Sequence, residues 1–307
     1  MKKKLKKILK KKLRKKLKKI RKHLCPKPPP PSVIAQFLYV SNYSANRVDI
    51  FDIFNNPTNP VRVGQFNGGN LHGAAGMAIT DTTLYVANQS SNTVAIYDIT
   101  NPIAPVHVGQ FNSGNLSGPT GIAITGTTLY VSNQSSNTAA IYDITNPRAP
   151  VHVGQFNSGN LHGPCAMAIT GTTLYITNVV SDTVAIYNIT NPIAPVHVGQ
   201  FNGANLVGPD GVAITGTTLY VANQNNSTAA IYDITNPNAP VHVRQFNGNL
   251  DTPATMAIAG TTLYVANEAG TVAIYDITNP INPVPVRVFG AGEFNLPYGL
   301  VVYTVFG

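Results

Sequence analysis

At 307 residues with a formal net charge of +9, the chain is long enough for one domain of ordinary size. Two cysteines are too few for a disulfide framework or a zinc site, no run of 18 apolar residues could cross a bilayer, and no short apolar core marks a secretory signal. The charge is lopsided: residues 1–27 hold 16 of the 21 Lys and Arg, so the remainder sets 5 basic groups against all 12 acids, a net of −7.

The basic stretch comes first. In residues 1–24 single aliphatics (Leu5, Leu9, Leu13, Leu17, Ile20, Leu24) alternate with cationic clusters. At helical spacing they make one apolar stripe on an otherwise cationic surface, while Ile8 falls outside it. Residues 1–25 therefore read as a basic amphipathic helical arm for an anionic membrane or polymer, with Lys3, Lys7, Lys11, Lys15, Lys18 and Lys22 as its contacts. Nucleic acid would be held without sequence preference, because the arm has no aromatic side chain to stack on bases. Cys25 stands beside the helix, where acylation would add a second membrane signal. The proline run from Pro26 opens an extended linker, residues 26–35. A peripheral membrane or cell-surface location and a monomeric state are expected.

From residue 36 to the end the chain is a repeat. Leu-Tyr recurs at Leu38, Leu84, Leu129, Leu174, Leu219 and Leu263, at intervals of 46, 45, 45, 45 and 44 residues. Each unit holds four short apolar runs between turn signals. Leu84–Ala87 ends in Asn-Gln-Ser-Ser-Asn, and Thr93–Ile99 ends at an Asn-Pro-x-x-Pro corner. Val106-His107-Val108 leads into a Gly/Asn loop, and Gly121–Thr125 closes on a tight Gly-Thr turn. Proline and the short apolar runs exclude helix throughout, and four strands per unit make a propeller blade. The first unit opens on its second strand at Phe37, and the chain finishes on an unpartnered first strand, Tyr298–Val302. The last strand is thus expected to complete the first blade and close an all-β ring of six four-stranded blades, which removes a free sheet edge.

Val94-Ala95-Ile96-Tyr97-Asp98-Ile99-Thr100-Asn101-Pro102, followed by Pro105-Val106-His107-Val108-Gly109, resembles the LVIVD repeat, and Leu84–Asn88 with Ser91–Val94 is similar to the YVTN repeat of surface-layer propellers. The resemblance covers all six units and implies a propeller of a kind found in binding and surface proteins. The Asp that closes the second run recurs at Asp52, Asp98, Asp143, Asp233 and Asp276, with Asn188 in the fourth unit, and is expected to accept backbone donors of the turn. His107, His152, His197 and His242 lie on the outermost strand of four blades, expected to point outward between valines and too far apart to share a metal.

The longer loops gather on one face, so a ligand is expected there, over the channel mouth. On that face the near-identical units differ at two places. After the loop leucine they carry His72, Ser117, His162, Val207 and Asp251. Just before the inner strand they carry Ala75, Thr120, Cys165, Asp210, Ala254 and Tyr298. His72, Thr120, His162, Cys165, Asp210, Asp251 and Tyr298 are the candidate contacts for a protein or polar polymer. The only glutamates are Glu268 and Glu293, no Gly-x-Ser-x-Gly elbow occurs, and no Ser-His-Asp set or metal site can be picked out. The sequence therefore reads as a non-enzymatic binding or surface-structural module without cofactor. The alternatives are a hydrolase of the calcium-dependent lactonase kind, whose channels use carboxylates and amides, and a nucleic-acid-associated scaffold.

Overall fold

The computed structural model describes residues 6–7, 10–16, 32–112, 114–157 and 159–307. The chain divides into two compact units, Ala35–Thr304 and a smaller one of Met1–Ile34 with Val305–Gly307. In the smaller unit residues 6–7 and 10–16 are helical and exposed, Leu13 at 61%. Lys7, Lys11 and Lys15 fall on this stretch, whereas Lys3, Lys18, Lys22 and Cys25 lie outside the described residues. No helix among the described residues is long and apolar enough to cross a membrane.

The larger unit is a six-bladed propeller of four-stranded antiparallel sheets. Blade 1 comprises β1 (Val33–Asn42), β2 (Arg47–Asp52) and β3 (Val61–Phe66). Blade 2 comprises β4 (Ala74–Thr80), β5 (Thr83–Asn88), β6 (Thr93–Asp98) and β7 (Val106–Phe111). Blades 3 to 6 follow as β8–β11 over residues 119–156, β12–β15 over 164–201, β16–β19 over 209–246 and β20–β23 over 253–289. The last strand, β24 (Pro297–Phe306), pairs with β1, so blade 1 has the order β24-β1-β2-β3. The ring closes as the strand count requires.

Each strand's composition follows its place in the blade. The second strand, such as β5 (Thr-Leu-Tyr-Val-Ala-Asn), is buried along its whole length. It has sheet on both sides and neighbouring blades against both faces, so it is continuously apolar. The outer strand has a free edge and alternates between exposed and half-buried, as in β11. Core clusters form between successive blades rather than at one centre: Tyr85 and Ile96 of blade 2 pack with Leu129 and Tyr142 of blade 3, and Leu38 and Phe51 of blade 1 with Tyr264 and Ile274 of blade 6.

Polar clasps repeat with the same period. The hydroxyl of each second-strand tyrosine donates to the carbonyl of the first proline in the next blade's Asn-Pro corner: Tyr39 to Pro102, Tyr85 to Pro147, Tyr130 to Pro192, Tyr175 to Pro237, Tyr220 to Pro280, and Tyr264 to Pro57 across the closure, all at 2.6–2.7 Å. The bond satisfies a polar tip on an otherwise buried ring, and burial pushes the pKa of Tyr130 and Tyr175 up to about 12. At the channel the backbones touch directly. A Cβ on Gly121 would lie 2.2 Å from the Cys165 carbonyl oxygen, and one on Gly211 2.3 Å from that of Ala254. Glycine is what lets inner strands approach this closely.

Candidate functional site at the channel

The inner strands of all six blades line a cavity of about 80 Å³. Near its loop-face end stand Thr120, Cys165, Asp210 and Tyr298. Further along each strand Met77, Ile122, Met167, Val212, Met256 and Leu300 form an apolar collar, each under 9% exposed. The inner strands begin earlier than the sequence indicated, at Pro164 and Pro209 for instance. The variable position is therefore the second residue of the strand, inside the fold rather than on the loop before it.

Three of those variable side chains meet. Tyr298 Oη donates to Asp210 Oδ1 at 3.2 Å, and the Cys165 side chain, whose thiol donates to the Gly163 carbonyl at 3.6 Å, lies near enough to the Asp210 carboxyl to act on it. Tyr298 belongs to blade 1 and Asp210 to blade 5; in blade 6, which separates them, the matching residue is only Ala254, leaving room for the phenol to reach across. Asp210 is 3% exposed. Burial pushes its carboxyl up to about 7, the Glu268 charge adds to that, and the donors Cys165 and Tyr298 pull partly back. The same burial, together with the Asp210 charge, holds the Cys165 thiol and the Tyr298 phenol well above their usual ranges, so both are neutral donors.

Amides and one further carboxylate adjoin this trio. Gln89 Nε2 donates to Gln134 Oε1 at 2.8 Å and Gln134 Nε2 to Cys165 Sγ at 3.1 Å. Gln224 Nε2 donates to Glu268 Oε1 at 2.5 Å, and burial raises the Glu268 carboxyl as well. These residues were not among the sequence candidates. They occupy one repeat position, directly after the strand-end asparagine, where the six units carry Tyr43, Gln89, Gln134, Val179, Gln224 and Glu268. Their divergence there was the available signal.

The remaining candidates do not join the trio. Thr120 lines the cavity, but its hydroxyl is engaged by Ser132 Oγ and the Pro164 carbonyl, each at 3.0 Å. His72, His162 and Asp251 have exposed side chains. What holds them is the backbone: each N–H donates to a strand-end asparagine, His72 to Asn88, His162 to Asn178 and Asp251 to Asn267, at 3.1–3.2 Å. His162 therefore does not gather with Cys165 and Asp210.

Three of the four outer-strand histidines are turned the other way from the expectation, while His242 is exposed as expected. Val106, Val151 and Val196 are the exposed residues, at 61–62%. His107, His152 and His197 lie half-buried against Tyr97, Tyr142 and Tyr187, with ring centroids 5.3–5.4 Å apart. A register shift between Ile96 and Tyr97, repeated in each blade, pairs the tyrosine with the histidine. The repeated aspartates act as expected in the turns: Asp98, Asp143, Asp233 and Asp276 accept from the backbone N–H and the hydroxyl of the threonine two residues on, and these bonds hold their carboxyls below the usual pKa.

Calcium wants six to eight oxygens, several of them carboxylate. The channel supplies two carboxylates, Asp210 and Glu268; Asp210 already accepts from neutral donors, and the Gln134 amide oxygen is taken by Gln89. Among the described residues no three of His, Cys, Asp or Glu cluster as metal ligands. The donor set does not fit calcium.

The sequence matches the LVIVD repeat family over residues 210–248 and 254–288, and the lactonase family, described as a seven-bladed β-propeller, over residues 55–153. No curated protein matches it. Among solved structures, a putative 6-phosphogluconolactonase from Bacteroides fragilis is 12% identical with a TM-score of 0.64, over 90% of this chain and 99% of that one. The periplasmic gluconolactonase of Pseudomonas aeruginosa is 13% identical with a TM-score of 0.64, over 87% and 85%. A chain of a nidogen/laminin complex is 15% identical with a TM-score of 0.66, over 87% and 98%. At such identities these neighbours speak for the fold alone. The lactonase family match overturns the expectation of a non-enzymatic module. That expectation rested on a channel poor in titratable groups, whereas Asp210 is joined there by Tyr298, Cys165 and Glu268.

Proposed function

We propose that this LVIVD-repeat propeller opens a small cyclic ester, a lactone, by hydrolysis at Asp210 in its central channel. The observation that carries the reading is a carboxyl buried in a cavity, pushed up to about 7 and facing a neutral hydroxyl donor. At neutral pH such a group is divided between its two forms, which suits proton transfer in both directions. The lactonase match and the gluconolactonase neighbours support the choice of ester.

Ionised Asp210 removes a proton from a water molecule as the water oxygen adds to the lactone carbonyl carbon. Tyr298, whose hydroxyl is freed as Asp210 becomes protonated, donates to the oxygen on which negative charge develops. The tetrahedral centre then collapses, the bond to the ring oxygen breaks, and that oxygen takes the proton from Asp210. The product is a hydroxy acid. The apolar collar of Met77, Met167, Met256 and their neighbours closes the channel below and limits water to the polar end.

Ring opening of a lactone panel by the full chain and by Asp210→Asn tests this. The expected result is turnover of at least one lactone above the spontaneous rate, with a loss of roughly 10²-fold or more in the variant. Equal rates with and without the carboxylate remove Asp210 from the chemistry.

A further inference from the structure

The chemistry assigned to the channel leaves its charge unused, and that charge bears on which lactone could enter. Among the described residues that line the cavity there is no Lys, Arg or His. Asp210 lines the cavity, and Glu268, outside the lining itself, accepts from Gln224 at the repeat position from which Gln134 reaches Cys165; both are carboxyls, and the Glu268 charge helps to raise Asp210.

The five basic groups of the propeller are engaged elsewhere. Arg47 pairs with Asp49 at 3.0 Å and bonds the Glu293 carbonyl, and Arg62 meets the same Asp49. Arg148 pairs with Asp98 at 2.5 Å, Arg244 bonds Asn282, and Arg287 bonds Asn59. His72 turns its Nε2 to the Gly69 carbonyl at 3.0 Å. The polar groups beside the cavity's Cys165, Asp210 and Tyr298 are amides and the Glu268 carboxyl: Gln134 bonds Cys165 and is itself bonded by Gln89, and Gln224 bonds Glu268. Such a set exchanges hydrogen bonds with hydroxyls and leaves an anion without a counter-charge in a partly desolvated site.

We propose that the channel selects by charge, taking lactones with neutral hydroxylated rings and rejecting those that carry phosphate or carboxylate, and that Glu268 is the specificity-determining residue. The proposal rests on the hydrolase reading for the identity of the ligand, and its test separates the two. Calorimetric binding to the full chain is measured with an uncharged sugar lactam, which mimics the ring but resists hydrolysis, and with the same lactam bearing a phosphate. Turnover of the matching lactones is measured in parallel.

The neutral lactam is expected to bind at least tenfold tighter, and Glu268→Gln, which keeps the shape and the bond to Gln224, is expected to narrow that ratio about fivefold. In the unmodified protein, raising salt from low to molar concentration is expected to narrow it too, because screening weakens the repulsion. Equal affinities, a preference for the phosphate, or no binding of either overturns the selectivity. An unchanged ratio in Glu268→Gln removes Glu268 from its role. Binding that discriminates without turnover of either lactone leaves the selectivity standing and overturns the hydrolase reading instead.

Discussion

His162 and Cys165 lie three residues apart in one unit, and both stand where the six copies disagree, yet one is exposed and the other is buried against Asp210. In the next blade Val207 is half-buried and Asp210 is buried. What separates them is the strand-end asparagine, which fixes the loop through its backbone and leaves the side chain free, followed by the proline that opens the inner strand and carries the next residue into the channel. Variation among repeats therefore has two meanings. On the loop tier it is tolerated because the clasp uses only backbone. On the channel tier it assembles a site that no single unit contains.

The contrast can be broken most forcefully at Asp210. Its folded pKa is raised to about 7 from an ordinary 3.8, so its contribution favours the fold below about pH 4 and is lost as pH rises through 7. Asp210→Asn removes that liability. The variant is expected to match the parent in denaturant unfolding at pH 4 and to exceed it at pH 8 by up to about 4 kcal/mol. A variant less stable than the parent at both pH values would show that the carboxyl is not held there against its solvation.

The loop tier predicts the opposite distribution of effects. Asn178→Ala removes the acceptor of the His162 N–H and one donor to the Asn160 carbonyl and is expected to cost about 1–3 kcal/mol. His162→Ala, one bond away, is expected to stay within about 0.5 kcal/mol, as an exposed substitution does. Equal costs for the two would mean that the imidazole itself is held. The smallest of these structural effects concerns the blade clasps: Tyr130→Phe keeps the buried ring, loses the bond to the Pro192 carbonyl, and is expected to cost about 1 kcal/mol in thermal or denaturant unfolding.

The sequence pattern carried the fold because its information is periodic. Leu-Tyr at intervals near 45 residues, four runs per unit, and a lone first strand at Tyr298 sufficed for blade number, strand number and closure. The clasp formed by the same tyrosines was hidden, since a Tyr inside an apolar run looks like any other core residue until the corner of the next blade is seen beside it. The facing of His107 was misjudged because alternation says which residues share a face but not which face is outward, and the register shift beside Tyr97 decides that. At the site, Cys165, Asp210 and Tyr298 were legible as a divergent position. Their meeting was not, for it depends on Ala254 being small in the intervening blade. Glu268 and the glutamines lie in a segment that reads as a polar turn, and only the curvature of the ring turns it toward the channel.

The most direct test of the account is the pH dependence of lactone turnover by the full chain, corrected for the spontaneous reaction, with Asp210→Asn alongside. A base that must be ionised and has a pKa of about 7 predicts a turnover number that rises tenfold per pH unit below that value and levels off above it, with the step absent from the variant. A flat profile through pH 7, or a step near 4 that survives the substitution, would contradict it.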